Sequence, residues 1–220
     1  PATQARVMVA AKICGLSSEQ AVAASVAGGA AYLGFVFYPP SPRAITADEA
    51  ARLCAAAPPG IARVGLFVDA DDEAIAAVLA AAPLDILQFH GSETPQRVAA
   101  ARARFGLQVM KAIAVAGPQE VCAASPYDEV ADLLLFDAKP PLRADALPGG
   151  NGLAFDWGLI AGRSWRRPWM LSGGLSADLL PEAVRISGAV MVDVSSGVES
   201  APGEKDPDKI RAFLAAARAL

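Results

Sequence analysis

The sequence predicts an α/β fold: a (β/α)8 TIM barrel of eight parallel strands, forming a single domain over residues 1–220. Three observations lead there. Eight short runs rich in Val, Ile, Leu and Phe return along the chain, mostly apolar on both faces, as strands of a covered parallel sheet are. Ala-rich helical stretches alternate with them, the order that wraps a parallel sheet in helices. At 220 residues the count favours a closed barrel at the compact end of that fold. An open doubly wound sheet is the rival, but its nucleotide-binding GxGxxG is missing after the first strand, where Cys14-Gly15-Leu16 stands instead.

The first strand is read at Val7–Ile13, and its helix starts at Ser17 and Ser18 before Glu19 and closes at Gly28-Gly29. The second strand, Tyr32–Phe37, is followed by a helix that Thr46 opens ahead of Asp48-Glu49. Arg63–Val68 is the third strand, with Asp71-Asp72 starting its helix, and Ile86–Phe89 the fourth, with Thr94-Pro95 and Gly106 bounding its helix. Polar caps and early acidic residues satisfy the free N–H groups of a first turn and suit its dipole. Val109–Ala114 and Leu133–Asp137 are strands five and six. The long gap Pro140–Asn151 then separates the sixth strand from its helix; on the carboxyl side of a barrel strand, such a loop is expected to be functional or disordered. Trp169–Leu171 and Val190–Val194 complete the set, Gly188 ends the helix between them, and Asp206-Pro207 opens the last helix. Trp157, Trp165 and Trp169 are expected to pack helices on the barrel.

Composition narrows the function. Apolar residues make up 54% and charged ones 19%, which excludes a disordered chain. Scattered Gly and Pro exclude collagen and coiled coil. A net charge of −4 without a basic stripe excludes a nucleic-acid binder. Gln20–Pro42 carries no charge, yet its Ala and Gly content, Gly28-Gly29 and three prolines argue against a membrane span. Three widely spaced cysteines, Cys14, Cys54 and Cys122, read as reduced thiols in a cytoplasm, and no secretory leader pattern opens the sequence. One histidine and no CxxC or HxxxH leave no zinc site, so no metal is expected.

In a barrel the informative polar residues stand at the carboxyl ends of strands. Here they are Lys12 and Cys14, Arg43, Gln88 and His90, Asp137 and Lys139, Ser172-Gly173-Gly174, and Asp193 with Ser195-Ser196-Gly197. Spacing of i, i+2 puts several pairs on one strand face, the face toward the barrel axis. Cys14 is a candidate base or nucleophile against the plainer reading of a buried inert thiol, and a lysine two residues back favours thiolate. Cys54 and Cys122 have no such surroundings and are read as structural. Asp137 ends the apolar run Leu133–Phe136, where partial desolvation makes a carboxyl a general acid; an ion pair with Lys139 is its alternative. Asp193 is expected to pair with Lys12, because strand eight neighbours strand one.

Two glycine-rich turns, Ser172-Gly173-Gly174 and Ser195-Ser196-Gly197, close successive strands. Consecutive N–H groups with serine hydroxyls cradle phosphate, and the loops after strands seven and eight are the habitual phosphate site of this barrel. His90 is a ligand contact, a catalyst or a satisfied residue of the mouth. Arg43, after Tyr38-Pro39-Pro40-Ser41-Pro42, is either a bidentate partner for a carboxylate or a surface arginine.

Taken in order, the motifs form a series. They are Lys12-Ile13-Cys14-Gly15, Gly34-Phe35-Val36-Phe37 with Ser41-Pro42-Arg43, Leu87-Gln88-Phe89-His90-Gly91, and Leu135-Phe136-Asp137-Ala138-Lys139. Gly149-Gly150-Asn151-Gly152 with Phe155-Asp156-Trp157, Ser172-Gly173-Gly174-Leu175 and Val192–Glu199 with Gly203 and Lys205-Asp206 complete it. This series resembles the phosphoribosylanthranilate isomerases of tryptophan biosynthesis over nearly the whole chain. The resemblance implies an Amadori rearrangement of N-(5-phosphoribosyl)anthranilate without metal or organic cofactor. In that likeness Asp137 is the acid that opens the ribose ring and Cys14 the base at the sugar C2. Arg43 falls near the anthranilate carboxylate, Gln88 and His90 on the substrate, and Gly173, Gly174, Ser195, Ser196 and Gly197 on its phosphate. Asn151 stands where the family usually has threonine, and Ala31 where it has an acidic residue.

Two rivals differ in testable ways. The related histidine-pathway phosphosugar isomerase resembles enzymes using two aspartates, which a cysteine in the base position opposes. A non-catalytic phosphate-ligand sensor on the same barrel would bind but not turn over. The expected partner is a small phosphorylated molecule, and either a monomer or a homodimer fits.

Overall fold

The structure, a computed structural model, describes residues 8–141 and 147–220. Val7 and the centre of the Pro140–Asn151 loop lie outside the described residues. The strands are β1 (Ala10–Cys14), β2 (Tyr32–Val36), β3 (Ala62–Phe67), β4 (Ile86–Phe89), β5 (Gln108–Val115), β6 (Leu133–Ala138), β7 (Trp169–Leu171) and β8 (Met191–Val194). They pair in parallel in chain order and β8 closes on β1, so the barrel is complete. Every expected strand is present, with ends moved by a few residues. Closure sets Lys12 opposite Asp193 in the β1–β8 register.

The start signals work as cap chemistry requires. Ser18 accepts from the Ala21 amide at the start of α1 (Glu19–Ala27), and Thr46 and Glu49 form a reciprocal capping box on α2 (Ala47–Cys54). Asp71 caps α3 (Asp72–Ala81) and Thr94 caps α4 (Pro95–Phe105), which ends at left-handed Gly106. The fifth crossover is broken into α5 (Pro118–Cys122) and α6 (Ser125–Val130). After β7 comes α7 (Leu180–Ser187), and after β8 an antiparallel pair, β9 (Glu199–Ala201) and β10 (Glu204–Lys205), precedes α8 (Pro207–Ala219). The uncharged stretch Gln20–Pro42 divides between α1 and β2, and no helix among the described residues is long and apolar enough to cross a membrane.

One expected element is absent. No α-helix stands between the Pro140–Asn151 loop and β7 among the described residues; a single 3-10 turn, Trp157–Leu159, takes its place. Gly158, Gly162 and Pro168 leave no uninterrupted run long enough for a helix. The outer face of β6 is covered by aromatic rings instead: Trp165 and Trp169 lie 5.1 and 5.8 Å from the Phe136 ring.

Side chains alternate across each strand. One buried cluster of Val64, Ile86, Met110, Ala112, Leu133, Leu135 and Met170 fills the barrel below, and Cys14, Val36 and Leu66 form a second. Buried polar Lys12, Gln88 and Asp137 share strands with these clusters, Ser172 directly follows β7, and Asp193 lies on β8. Chemistry is thereby concentrated toward the carboxyl ends.

Candidate active site

A cleft opens at the carboxyl ends of the strands. Its wall includes Cys14, Arg43, His90 and Asp137, together with Gly173, Gly174, Ser195, Ser196 and Gly197. All but one of the site residues read from the sequence are therefore on one surface. The exception is Gln88, which is fully buried and does not line the cleft. His90 follows the end of β4 and reaches the mouth, whereas Gln88 sits two residues deeper within the strand.

Cys14 ends β1 and is buried. Lys12, on the same face, donates to Asp193 Oδ1 at 2.8 Å, and Ser172 Oγ donates to Asp193 Oδ2 at 3.0 Å. The expected Lys12–Asp193 pair is thus formed. Gly34 on the neighbouring strand makes room for this group: a Cβ there would lie 3.0 Å from Cys14 Sγ and 3.1 Å from Lys12 Nζ.

Lys12 favours the Cys14 thiolate, as expected, but does not bring the thiol below its ordinary range. Burial pushes the Cys14 thiol above its ordinary range, and the opposing influence of Lys12 is outweighed. Asp193 also opposes the thiolate. Lys12 is held firmly charged: burial opposes its ammonium, but Asp193 and Cys14 more than offset this. Thiolate forms as pH rises, so the rate of Cys14 alkylation should climb with a midpoint above the ordinary thiol value of about 8.5. Lys12→Met should move that midpoint further up, because the cation that favours the thiolate most is gone and only the weaker influence of Lys205 is left. The same change leaves Asp193 buried without its counter-charge and should lower unfolding free energy by about 3–5 kcal/mol in urea titration.

Asp137 is the penultimate residue of β6, with β7 and β8 between it and β1. It makes no pair with Lys139, whose ammonium instead contacts Glu120 at 2.9 Å. Asp137 Oδ1 accepts from the Ala138 amide at 2.8 Å, and Oδ2 lies 3.2 Å from His90 Nε2. Gly149 closes over this pair: a Cβ there would come within 2.7 Å of His90 Nε2 and 2.9 Å of Asp137 Oδ2. Residues 147–151 of the long loop line the cleft, in keeping with a functional loop.

The two glycine-rich turns face the cleft side by side, the second as a 3-10 turn, Ser196–Val198. Among the described residues, the amides of Gly173, Gly174, Ser196 and Gly197 donate to no backbone carbonyl. Such a group of free donors suits a phosphate. Behind them lies a charge cluster that the sequence did not reveal. Glu199 takes Arg43 bidentately, Nε at 2.7 Å and Nη2 at 2.9 Å, and accepts from Lys205 at 2.6 Å. Lys205 also donates to the Ser195 carbonyl and hydroxyl oxygens, at 3.0 and 3.2 Å. Burial works against the Glu199 carboxylate, but Arg43 and Lys205 hold it below the usual carboxyl range. Burial draws Lys205 below the usual amine range despite Glu199. Arg43 is therefore neither a free surface arginine nor fully available; Nη2 also donates to the Gly150 carbonyl at 3.2 Å.

The other thiols are apart from the cleft: Cys54 is buried, and Cys122, expected to be structural, is exposed. Among the described residues no group of three His, Cys, Asp or Glu side chains is arranged to hold a metal.

Comparison with known proteins gives one answer. The family model for N-(5'-phosphoribosyl)anthranilate (PRA) isomerase matches residues 11–216. The N-(5'-phosphoribosyl)anthranilate isomerase of Paracoccus denitrificans is 59% identical over 211 residues, covering 96% of this chain and 98% of its own. That of Rhodospirillum centenum is 57% identical over 209 residues, covering 95% and 98%. The crystal structure of phosphoribosyl anthranilate isomerase from Thermotoga maritima superposes with a TM-score of 0.87 at 37% identity, over 97% of this chain and all of the other. A crystal structure of such an isomerase with reduced 1-(o-carboxyphenylamino)-1-deoxyribulose 5-phosphate superposes at 0.84 and 36% identity, with the same coverage.

Proposed function

The chain belongs to the N-(5'-phosphoribosyl)anthranilate isomerase family and is an isomerase of tryptophan biosynthesis; from that premise we propose that Asp137 is its general acid and Cys14 its general base. The observation that carries this reading is the cleft itself, where the Asp137 carboxyl and the Cys14 thiol stand on separated strands beside the free amides of the two glycine-rich turns, the other carboxyl of the wall, Asp193, being taken by Lys12 and Ser172. An aldose–ketose rearrangement needs one acid and one base at neighbouring atoms of the sugar.

Asp137 Oδ2 gives its proton to the ribose ring oxygen as the bond from that oxygen to C1 breaks, leaving a protonated imine. Cys14, as thiolate, takes the proton from C2. The imine's positive charge is next to that carbon and favours the thiolate that burial alone disfavours. The resulting enolamine gains a proton at C1 and loses the one on its C2 hydroxyl, giving the ketone, 1-(2-carboxyphenylamino)-1-deoxyribulose 5-phosphate. Gly173, Gly174, Ser195, Ser196 and Gly197 hold the phosphate, and that remote binding orients the reacting carbons. Arg43 meets the anthranilate carboxylate through Nη1 while Glu199 fixes its other edge. His90 meets the substrate beside Asp137.

Every residue in this scheme comes from one chain, so a monomer or a homodimer can house it. Three unpaired thiols support a cytoplasmic location. The test is turnover of freshly made phosphoribosylanthranilate, followed by loss of its fluorescence. Turnover supports the reading, and a folded protein that binds the compound without converting it would favour the sensor.

A further inference from the structure

His90 touches one group through each ring nitrogen, and the two contacts cannot be set independently. Nδ1 lies 3.0 Å from Gln88 Nε2, and Nε2 lies 3.2 Å from Asp137 Oδ2. A neutral imidazole has one N–H and one lone pair, while an amide nitrogen only donates. With the ring neutral and the Gln88 amide nitrogen turned to it, Nδ1 is placed to accept from Gln88 and the ring's proton to sit on Nε2, facing Asp137.

Gln88 is fully buried in the barrel, and its Oε1 has no hydrogen-bond partner among the described residues. A buried amide with one end unpaired is a poor choice for stability, since an apolar side chain of equal size would avoid the desolvation cost. The end that is paired is the end against His90. We propose that Gln88 is a positioning residue: it fixes His90 as the Nε2–H tautomer, which donates to Asp137 Oδ2 and aims that acid's proton into the cleft.

The geometry of Asp137 supports the direction. Oδ1 is occupied by the Ala138 amide, so Oδ2 is the oxygen that carries the proton. With His90 Nε2–H on one lone pair of Oδ2, the acidic hydrogen cannot point at the imidazole and is left facing the cleft. The opposite tautomer would present a lone pair and draw that hydrogen away from the substrate. Once the proton has gone to the ring oxygen, the carboxylate is met by two N–H donors, from Ala138 and His90, and charge-assisted bonds of this kind are the stronger ones. The inference rests on Asp137 as the acid, but the tautomer is observable without substrate.

His90 is the only histidine of the chain, so a nitrogen-15 correlation spectrum of histidine-labelled protein reports its tautomer without assignment. The expected wild-type spectrum has a pyrrole-type Nε2 and a pyridine-type Nδ1. Gln88→Met, similar in length and volume but without a donor, should bring the two shifts toward their tautomer-averaged values. It should also lower kcat by about tenfold to 10²-fold with KM little changed, the mark of lost alignment. A pyridine-type Nε2 in the wild type overturns the proposal without need of any variant. So does Gln88→Met if it keeps both the spectrum and kcat. Wild-type protein with the expected tautomer but no turnover of phosphoribosylanthranilate would instead defeat the isomerase reading, leaving the Gln88–His90 pairing intact.

Discussion

Cys14→Ala should lower kcat by a factor of about 10² to 10⁴, the range a positioned general base supplies, while the barrel stays folded and still binds the phosphorylated ligand. That factor corresponds to about 2.7–5.4 kcal/mol of barrier. Folding should survive because the change removes one sulfur from a small cluster with Val36 and Leu66. It leaves the Lys12–Asp193 pair in place. The phosphate turns and Arg43 belong to other elements, so affinity for a product analogue should hold. Steady-state kinetics beside a binding isotherm separate the two quantities. Retained turnover would remove Cys14 from the mechanism, and loss of binding together with turnover would assign it to the architecture of the cleft.

Most of the barrel could be read from the residues because its strands are short apolar runs between capped helices, each a local signal. The adjacency of β1 and β8 followed from closure alone, and with it the Lys12–Asp193 pair. That pair bears on Cys14 from both sides: the lysine favours the thiolate, and the aspartate that answers it opposes the thiolate. Burial, which the sequence shows only indirectly, then decides the direction. Gln88 and His90 share a strand face by spacing, yet two residues along a strand separate the barrel interior from its mouth. Glu199 was unreadable for a different reason. Its partner Arg43 lies 156 positions away, and no local pattern links them. The helix missing between β6 and β7 had a visible cause in Gly158, Gly162 and Pro168, but the strict alternation of the other elements outweighed it.

Asp137→Asn should cost kcat a comparable factor of about 10² to 10⁴, for a separate reason and with a separate signature. Asparagine keeps the size of aspartate but has no acidic proton, so the ring oxygen must leave without one. Its amide also cannot satisfy both neighbours of Asp137. If its oxygen accepts from the Ala138 amide, as Oδ1 does at 2.8 Å, its NH2 takes the position of Oδ2, 3.2 Å from His90 Nε2. Two donors then face each other. Either His90 moves its proton to Nδ1 and confronts the Gln88 amide, or the asparagine flips and confronts Ala138. One hydrogen bond is lost in both arrangements, a cost of about 1 kcal/mol to stability. Kinetics should therefore show a collapse in kcat with ligand binding kept, and urea titration a small loss of stability. If Asp137→Asn retained kcat within about tenfold, well short of what a general acid contributes, the acid would have to be sought elsewhere on the cleft wall, with His90 first.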